Sequence, residues 1–513
     1  MFSPLVLVGH GKRTKLHIIT ILPMTSAIAM GMKPDPWHTA TLFKSCARRT
    51  IMCNVVHVAS VCTIVPVIPT RQPCTLWLCN FQIQLLSENY LKQVYYFPEA
   101  VDSSPGSFDR LVTSLKVSLS QVLVPYYPIA GRPRIAGLDR PVLECNDQGV
   151  EFVVAFANAS FHDWGDSMKH CSIEHELNPA QTEITDHENF PQLKVQVTKF
   201  RCGGIALGLV TTHIVTDGSS IFAFFKAWSD IHQGLPPPNP PPSFDSSILR
   251  ARDPPSIKMP IRDYVAVAPS LAQDHSGKSG EDISPKYHVR AFHMSELQLS
   301  HLRHEIASGP FSYGSFPTSF EAAAALVWKS ITEARDLVDT AIATFVYSGS
   351  AKAGKNRRHP PIPDEYCGTS AMTLVLPCPA RDLKNKHISL AARLVHDDIR
   401  AITHERFQST IDWMELEGIG SPGRKEIAVN MRAEMAVYSV DLVTFPVYDV
   451  DFGWGRPAHF SLVLEPWYGN GVVVFLPTAQ GGTRERRIVV MLLEDEMKRL
   501  LRSELLAKFA TLE

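Results

Sequence analysis

The chain has 513 residues, 45% apolar and 20% charged, with a formal net charge of −1. That length exceeds one ordinary core and fits two domains or one large two-lobed unit. The near-neutral charge, without a long basic run, gives no electrostatic basis for binding nucleic acid, and no apolar run reaches the ~20 residues that a membrane-spanning helix needs.

Ten cysteines in a chain this long do not make a disulfide scaffold. Cys46, Cys53, Cys62, Cys74 and Cys79 crowd one stretch, but no C-x-x-C occurs, so zinc ribbons and thioredoxin-like pairs lack their spacing. Reduced thiols in a cytoplasmic protein, with no metal bound, are expected.

In chain order, the first stretch is compositionally odd. Up to residue 87 the only acid is Asp35, set against Lys12, Arg13, Lys15, Lys33, Lys44, Arg48, Arg49 and Arg71. This composition suits an organelle transit peptide, and His17–Met32 could serve as a signal-peptide core interrupted by Pro23. An extension without a role in the fold is the third reading. Thr63–Thr70 is β-branched and proline-punctuated, hence extended. Leu111–Val122 carries Leu111, Leu115 and Leu119 at helical spacing and runs into the turn-rich Pro125–Arg132.

Leu193–Val197 alternates as a half-buried strand would, and Gly204–Val210 is apolar enough for a strand buried on both faces. A helix through Gln233, capped by Ser219 or Ser220, would carry Ile221, Phe224, Phe225, Trp228 and Ile231 on one stripe. Leu235–Pro242 is a stiff proline-rich linker followed by a crossover, 236–288 in all. Beyond it, strands are expected at Val289–Met294, Ala341–Ser348, Ala371–Leu376, Glu465–Leu476 and Arg487–Leu493. Helices are expected at Glu296–Ser308, Thr318–Arg335, Leu390–Arg406 and Glu494–Phe509. The expected organisation is an extension at 1–55, an amino-terminal lobe at 56–235, and a carboxy-terminal lobe at 289–513.

Two motifs carry chemistry. His213-Ile-Val-Thr-Asp217-Gly218 follows the buried strand and precedes the helix, a place where a rigid scaffold can hold a functional side chain. A second H-x-x-x-D, His162 to Asp166, lies in a polar run that reads as a loop. The β-branched Ile214-Val215-Thr216 disfavours helix, so Asp217 is expected to turn away from His213. Asp451-Phe452-Gly453-Trp454-Gly455 places glycines on both sides of an aromatic, which permits positive φ and close packing. There is no G-x-S-x-G and no H-E-x-x-H.

Together and in this order, the two motifs resemble the signatures of the plant BAHD acyltransferases. The likeness runs from about Val56 to Phe509, which favours the plain-extension reading of residues 1–55. It implies an α/β, chloramphenicol-acetyltransferase-like fold of two lobes with mixed sheets and the active site at their interface. The implied reaction moves an acyl group, hydroxycinnamoyl or another aromatic acyl, from coenzyme A to an alcohol or amine. His213 would be the general base, Asp217 and Gly218 structural residues of the site, and Asp451 to Gly455 a fold-maintaining turn. Acyl-CoA is then a co-substrate, no cofactor is permanently bound, and a cytoplasmic monomer is expected. A non-catalytic accessory protein on the same fold is the alternative. In the family the aspartate that matches Asp217 is held by an arginine; Asp451 is expected to pair with an arginine as well, and Arg290 is a candidate partner for one of the two.

The segment Phe222–Pro255 is most similar to hydroxycinnamoyl transferases. Those enzymes commonly carry Tyr-Phe-Gly-Asn where this chain has Tyr366-Cys367-Gly368-Thr369. They also carry Thr-Ser-Trp where it has Val440-Asp441-Leu442. Loss of those donors points away from shikimate as acceptor.

Overall fold

All five side chains of the strand Val472–Leu476 are buried, although successive residues of a strand face opposite ways. Val473 and Phe475 enter one hydrophobic cluster, whereas Val472, Val474 and Leu476 enter another. The neighbouring strand divides in the same way, with Ile488, Val490 and Leu492 on one side and Val489 and Met491 on the other. A sheet covered on both faces is therefore the centre of this half of the molecule.

A computed structural model describes residues 56–513, apart from 73, 88–90, 99, 102–103, 136–139, 161–173, 180–189, 268–285, 353–356, 420–424, 431–435, 465–470 and 480–483. The extension at 1–55 and the second motif at His162 and Asp166 lie outside the described residues. Asn54–Glu513 forms one compact unit.

The first sheet has the spatial order β1 (Val56–Ile64), β6 (Val150–Ala157), β7 (Leu193–Phe200), β8 (Ile205–Thr211), β3 (Leu91–Phe97) and β15 (His459–Val463). The second has the order β12 (Ala371–Pro379), β11 (Ile342–Ser350), β14 (Ala436–Asp441), β16 (Val472–Leu476), β17 (Arg486–Leu493), β10 (Tyr287–Met294) and β18 (Thr511–Leu512). Two small sheets complete the set: β2 (Thr75–Trp77), β5 (Val142–Glu144) and β4 (Arg132–Arg134), and the pair β13 (Glu426–Val429) and β9 (Tyr264–Val267). Both large sheets are mixed, since β6 and β7, β11 and β14, and β14 and β16 pair parallel while their other neighbours pair antiparallel.

The helices are α1 (Asn80–Gln84), α2 (Ser107–Val122), α3 (Gly218–His232), α4 (Glu296–Ser308), α5 (Ser319–Ala334), α6 (Ala380–Asn385), α7 (Ser389–Arg400), α8 (His404–Met414), α9 (Glu494–Leu500) and α10 (Glu504–Phe509). One core lies between the second sheet and α4, α5 and α7. The other is shared: Tyr95, Phe152 and Leu207 of the first sheet, Phe224 and Trp228 of α3, and Val474 and Met491 of the second sheet form one cluster. The two sheet-based halves thus meet through apolar packing. The chain also crosses between them, because β15 follows the Asp451 turn yet pairs with β3 of the first sheet.

Local signals place several boundaries correctly. Ser295 caps α4, and Thr318 caps α5 in a capping box with Glu321. Other expectations need correction. Leu390–Arg406 is not one helix: the chain breaks after Arg400, and Thr403 caps a new helix through its bond from Arg406 N–H. Glu494–Phe509 likewise divides, with Ser503 capping α10. Ser and Thr compete for backbone hydrogen bonds, so a mid-pattern Ser or Thr can start a helix as readily as sit inside one. β7 is buried on both faces, because the segment Glu174–Leu177 covers the side that alternation alone assigns to solvent.

Candidate active site

β8 is wholly buried and ends at Thr211. Thr212 is tied to Gln192 by its N–H to the carbonyl at 3.1 Å and by its hydroxyl to the side-chain oxygen at 2.6 Å. His213 follows in a turn, as the β-branched triplet predicts. Thr216 Oγ1 donates to the Thr212 carbonyl at 3.2 Å, and His213 Nδ1 lies 2.9 Å from the Thr216 carbonyl oxygen. A carbonyl can only accept, so this contact requires a proton on Nδ1 and leaves the ring's lone pair on Nε2. The ring is partly exposed, yet the protein packed around it desolvates it and lowers its pKa. The Thr216 bond and the charge of Asp217 oppose that shift more weakly.

The backbone of this turn is gripped from distant parts of the chain. Thr369 Oγ1 donates to the His213 carbonyl at 2.6 Å. Gln82 Nε2, from α1, donates to the Ile214 carbonyl at 2.8 Å, while its Oε1 accepts from Ser246 Oγ at 3.1 Å. Ser246 in turn lies 3.1 Å from the Tyr366 hydroxyl. Thr369, Gln82 and Ser246 are all buried, so these bonds are shielded from competing water.

Asp217 turns away from the imidazole and caps α3. Its Oδ1 accepts from Ser220 N–H at 3.0 Å, Ser220 Oγ at 2.9 Å and Ser219 Oγ at 2.7 Å. Its Oδ2 accepts from Ser370 Oγ at 3.1 Å and Ser370 N–H at 3.3 Å. Two expectations are corrected here. The helix cap is Asp217 rather than Ser219 or Ser220, which instead help to satisfy it. The aspartate is held by serines, and no arginine bonds it among the described residues. A carboxylate accepting several hydrogen bonds beside a helix N-terminus needs no separate counter-ion. Gly218 opens α3, and a Cβ there would meet the Phe445 ring at 3.4 Å.

The Asp451 turn sits at the other end of α3. Asp451 Oδ1 accepts from the N–H groups of Gly453 at 2.7 Å and Gly455 at 3.1 Å. Both glycines have positive φ, 88° and 95°, a region that a side chain would strain. Gln233 Nε2 donates to the Asp451 carbonyl at 2.6 Å. Phe452 is buried edge-on against Trp228 at 5.1 Å, and Trp454 stacks on Phe97 at 5.4 Å and 16°. Asp451 is thus satisfied by its own turn. Arg290 bonds the neighbouring Val289 carbonyl instead of either motif aspartate.

Where hydroxycinnamoyl transferases carry Thr-Ser-Trp, Leu442 is buried and Val440 half-buried in the shared apolar core. Asp441 faces the opposite way, and burial raises its pKa despite the nearby Arg486. Sequence reasoning missed Gln82, Ser246 and Ser370. Only Thr369 lay in a block already marked as unusual.

The model of the Transferase family, the family of BAHD acyltransferases, matches residues 55–504. This chain belongs to the BAHD acyltransferase family. It is 29% identical over 428 residues to the shikimate O-hydroxycinnamoyltransferase of Nicotiana tabacum, covering 82% of this chain and 93% of that one. It is 30% identical over 392 residues to the omega-hydroxypalmitate O-feruloyl transferase of Arabidopsis thaliana, covering 75% and 79%. Among solved structures, F. graminearum TRI101 complexed with coenzyme A and deoxynivalenol aligns with a TM-score of 0.71 at 16% identity, over 86% of this chain and 99% of that one. The BAHD fold is the two-part, chloramphenicol-acetyltransferase-like α/β arrangement expected. The chain is an acyl-CoA-dependent acyltransferase with an alcohol or amine acceptor. Among the described residues, no helix is long and apolar enough to cross a membrane.

Proposed function

We propose that this BAHD acyltransferase uses His213 as its general base to transfer an aromatic acyl group from its coenzyme A thioester to an acceptor less polar than shikimate. The observation that carries the role of His213 is the Nδ1 contact with the Thr216 carbonyl, which leaves Nε2 free to take a proton. A thioester is already an activated acyl donor. Nε2 removes the acceptor proton as its oxygen or nitrogen bonds the thioester carbonyl carbon, a step worth typically about 10²–10⁴-fold. The tetrahedral intermediate collapses with cleavage of the C–S bond, and the imidazolium returns its proton to the departing thiolate.

Desolvation supports this role, because it keeps the imidazole neutral near pH 7 and able to accept a proton. Asp217 acts through the loop rather than as the third member of a triad. Leu442 and Val440 support the acceptor reading, since they offer no hydrogen bonds where a polyhydroxylated acid would need them. Unpaired polar groups cost about 1–3 kcal/mol each. Relatives of near-equal identity include both a shikimate and an omega-hydroxypalmitate enzyme, so relatedness by itself does not choose the acceptor.

The test is free-thiol release by the purified chain, with a panel of aromatic and aliphatic acyl-CoA thioesters against alcohol, phenol and amine acceptors. Turnover is expected with at least one pair, and His213→Ala should lower kcat at least about 10²-fold in a folded protein. Near-normal turnover by that variant would remove His213 from the mechanism.

A further inference from the structure

Away from the His213 turn, two thiols stand together that acyl transfer does not use. Strands β2 and β5 pair Thr75 with Glu144, Leu76 with Leu143 and Trp77 with Val142. The Cys145 N–H extends this ladder by one step, donating to the Cys74 carbonyl at 2.9 Å. The two cysteines are therefore directly opposite each other. Directly opposed residues of a regular antiparallel pair have Cα atoms about 4.5–5.5 Å apart, inside the ~4.4–6.8 Å that a disulfide spans, and here one of the two rung bonds is direct while the other runs through the Gln72 side chain. Directly opposed residues share a face, so the two side chains leave the ladder on the same side.

The last rung of the ladder is completed by a side chain. Cys74 N–H donates to Gln72 Oε1 at 3.3 Å, and Gln72 Nε2 donates to the Cys145 carbonyl. The cysteines are thus held opposite each other from both sides of the rung. Their surroundings differ: Cys74 is half-buried, whereas Cys145 is buried. Burial, reinforced by the nearby Cys74, pushes the Cys145 thiol pKa up, so it keeps its proton.

We propose that Cys74 and Cys145 form a modification site that closes to a disulfide when the protein meets a hydroperoxide. The more accessible Cys74 reacts first. Its thiolate sulfur attacks one peroxide oxygen, the O–O bond breaks, and the released hydroxide takes up a proton to leave as water. The Cys145 sulfur then displaces hydroxide from the resulting Cys74 sulfenic acid, and its own thiol proton leaves with that hydroxide as a second water. The two thiols lose two electrons and the peroxide gains them. A thiol reductant reopens the bond. The cross-link sits at the head of the segment that runs through β2 into α1, where Gln82 holds the Ile214 carbonyl.

The test treats the full-length, reduced protein with hydrogen peroxide, blocks remaining thiols with iodoacetamide and maps the peptides by mass spectrometry. A peptide pair joining Cys74 to Cys145 is expected, lost after dithiothreitol, while exposed Cys202 still takes the block. In Cys145→Ser, Cys74 should pass on to the sulfinic acid because its resolving thiol is gone. Full alkylation of both cysteines after peroxide overturns the proposal, as does a bond from Cys74 to any other cysteine. The wild-type map decides the matter even if the variant folds poorly.

Discussion

Thr369 Oγ1 donates a 2.6 Å hydrogen bond to the backbone carbonyl of His213, across 156 residues of sequence. The next residue, Ser370, holds the carboxylate of Asp217 through both its hydroxyl and its N–H. One short segment of the second half therefore fixes both ends of the His213 turn.

Removing the Thr369 hydroxyl should loosen the base without unfolding the protein. Thr369→Ala gives up about 1 kcal/mol of hydrogen bonding, but a misplaced imidazole can cost far more in rate. We expect kcat to fall roughly 10-fold with KM nearly unchanged, and Thr369→Ser to recover most of it. Steady-state kinetics of the two variants decide this, and wild-type kcat in Thr369→Ala would leave the contact without a positioning role.

Asp217→Ala should act first on stability. It removes a helix cap worth about 0.5–2 kcal/mol and strands the buried Ser370 N–H at about 1–3 kcal/mol. A loss of roughly 2–4 kcal/mol in denaturant unfolding is expected, along with reduced activity. An unchanged unfolding midpoint with activity abolished would favour direct participation in catalysis.

The pH dependence follows from the desolvated imidazole. The folded pKa of His213 lies below its ordinary 6.5, so the neutral base persists below that pH. The acid limb of kcat/KM should therefore be centred below 6.5, with activity rising as pH rises through it. Stability shifts the same way: from 6.5 downward the unfolded chain binds a proton that the folded site resists, so folding weakens as pH falls. Buried His459, lowered to about 3, adds to that loss between pH 6.5 and about 3. A limb centred above 6.5 with a non-titrating alcohol acceptor would contradict the assignment.

Acceptor preference can be read from kcat/KM with p-coumaroyl-CoA. An aliphatic or aromatic alcohol, a phenol or an amine should exceed shikimate and quinate. The reverse order would mean that hydrogen-bond donors reach the acceptor from elsewhere than positions 440 and 442.

Residues before Val56 should be dispensable. The family match starts at residue 55, and the earlier segment carries a single acid and no sustained amphipathic period. A chain starting at Val56 should retain specific activity per folded molecule. Its loss in well-expressed protein would assign that segment a part in the core.

The strands and helices were legible wherever the signal was local. A continuous apolar run located β8, a period-3.6 apolar stripe located α3, and Thr318 with Glu321 ahead of an alanine run marked the start of α5. The helices around Arg400 and Ser503 were not, since a capping residue inside an apolar pattern leaves the period intact on both sides.

By itself the sequence determined the order of the two motifs, the turn between a buried strand and an amphipathic helix, and the steric need for glycine at 453 and 455. These depend on neighbours within a few residues, where backbone sterics and side-chain periodicity act. Only the tertiary structure decided that Gln82 and Thr369 hold the His213 turn, that serines rather than an arginine satisfy Asp217, and that β15 joins the first sheet. A hydrogen bond across 150 residues leaves no spacing in the chain. Its partners are chosen by which buried donors and acceptors packing brings together, each of which must then be satisfied.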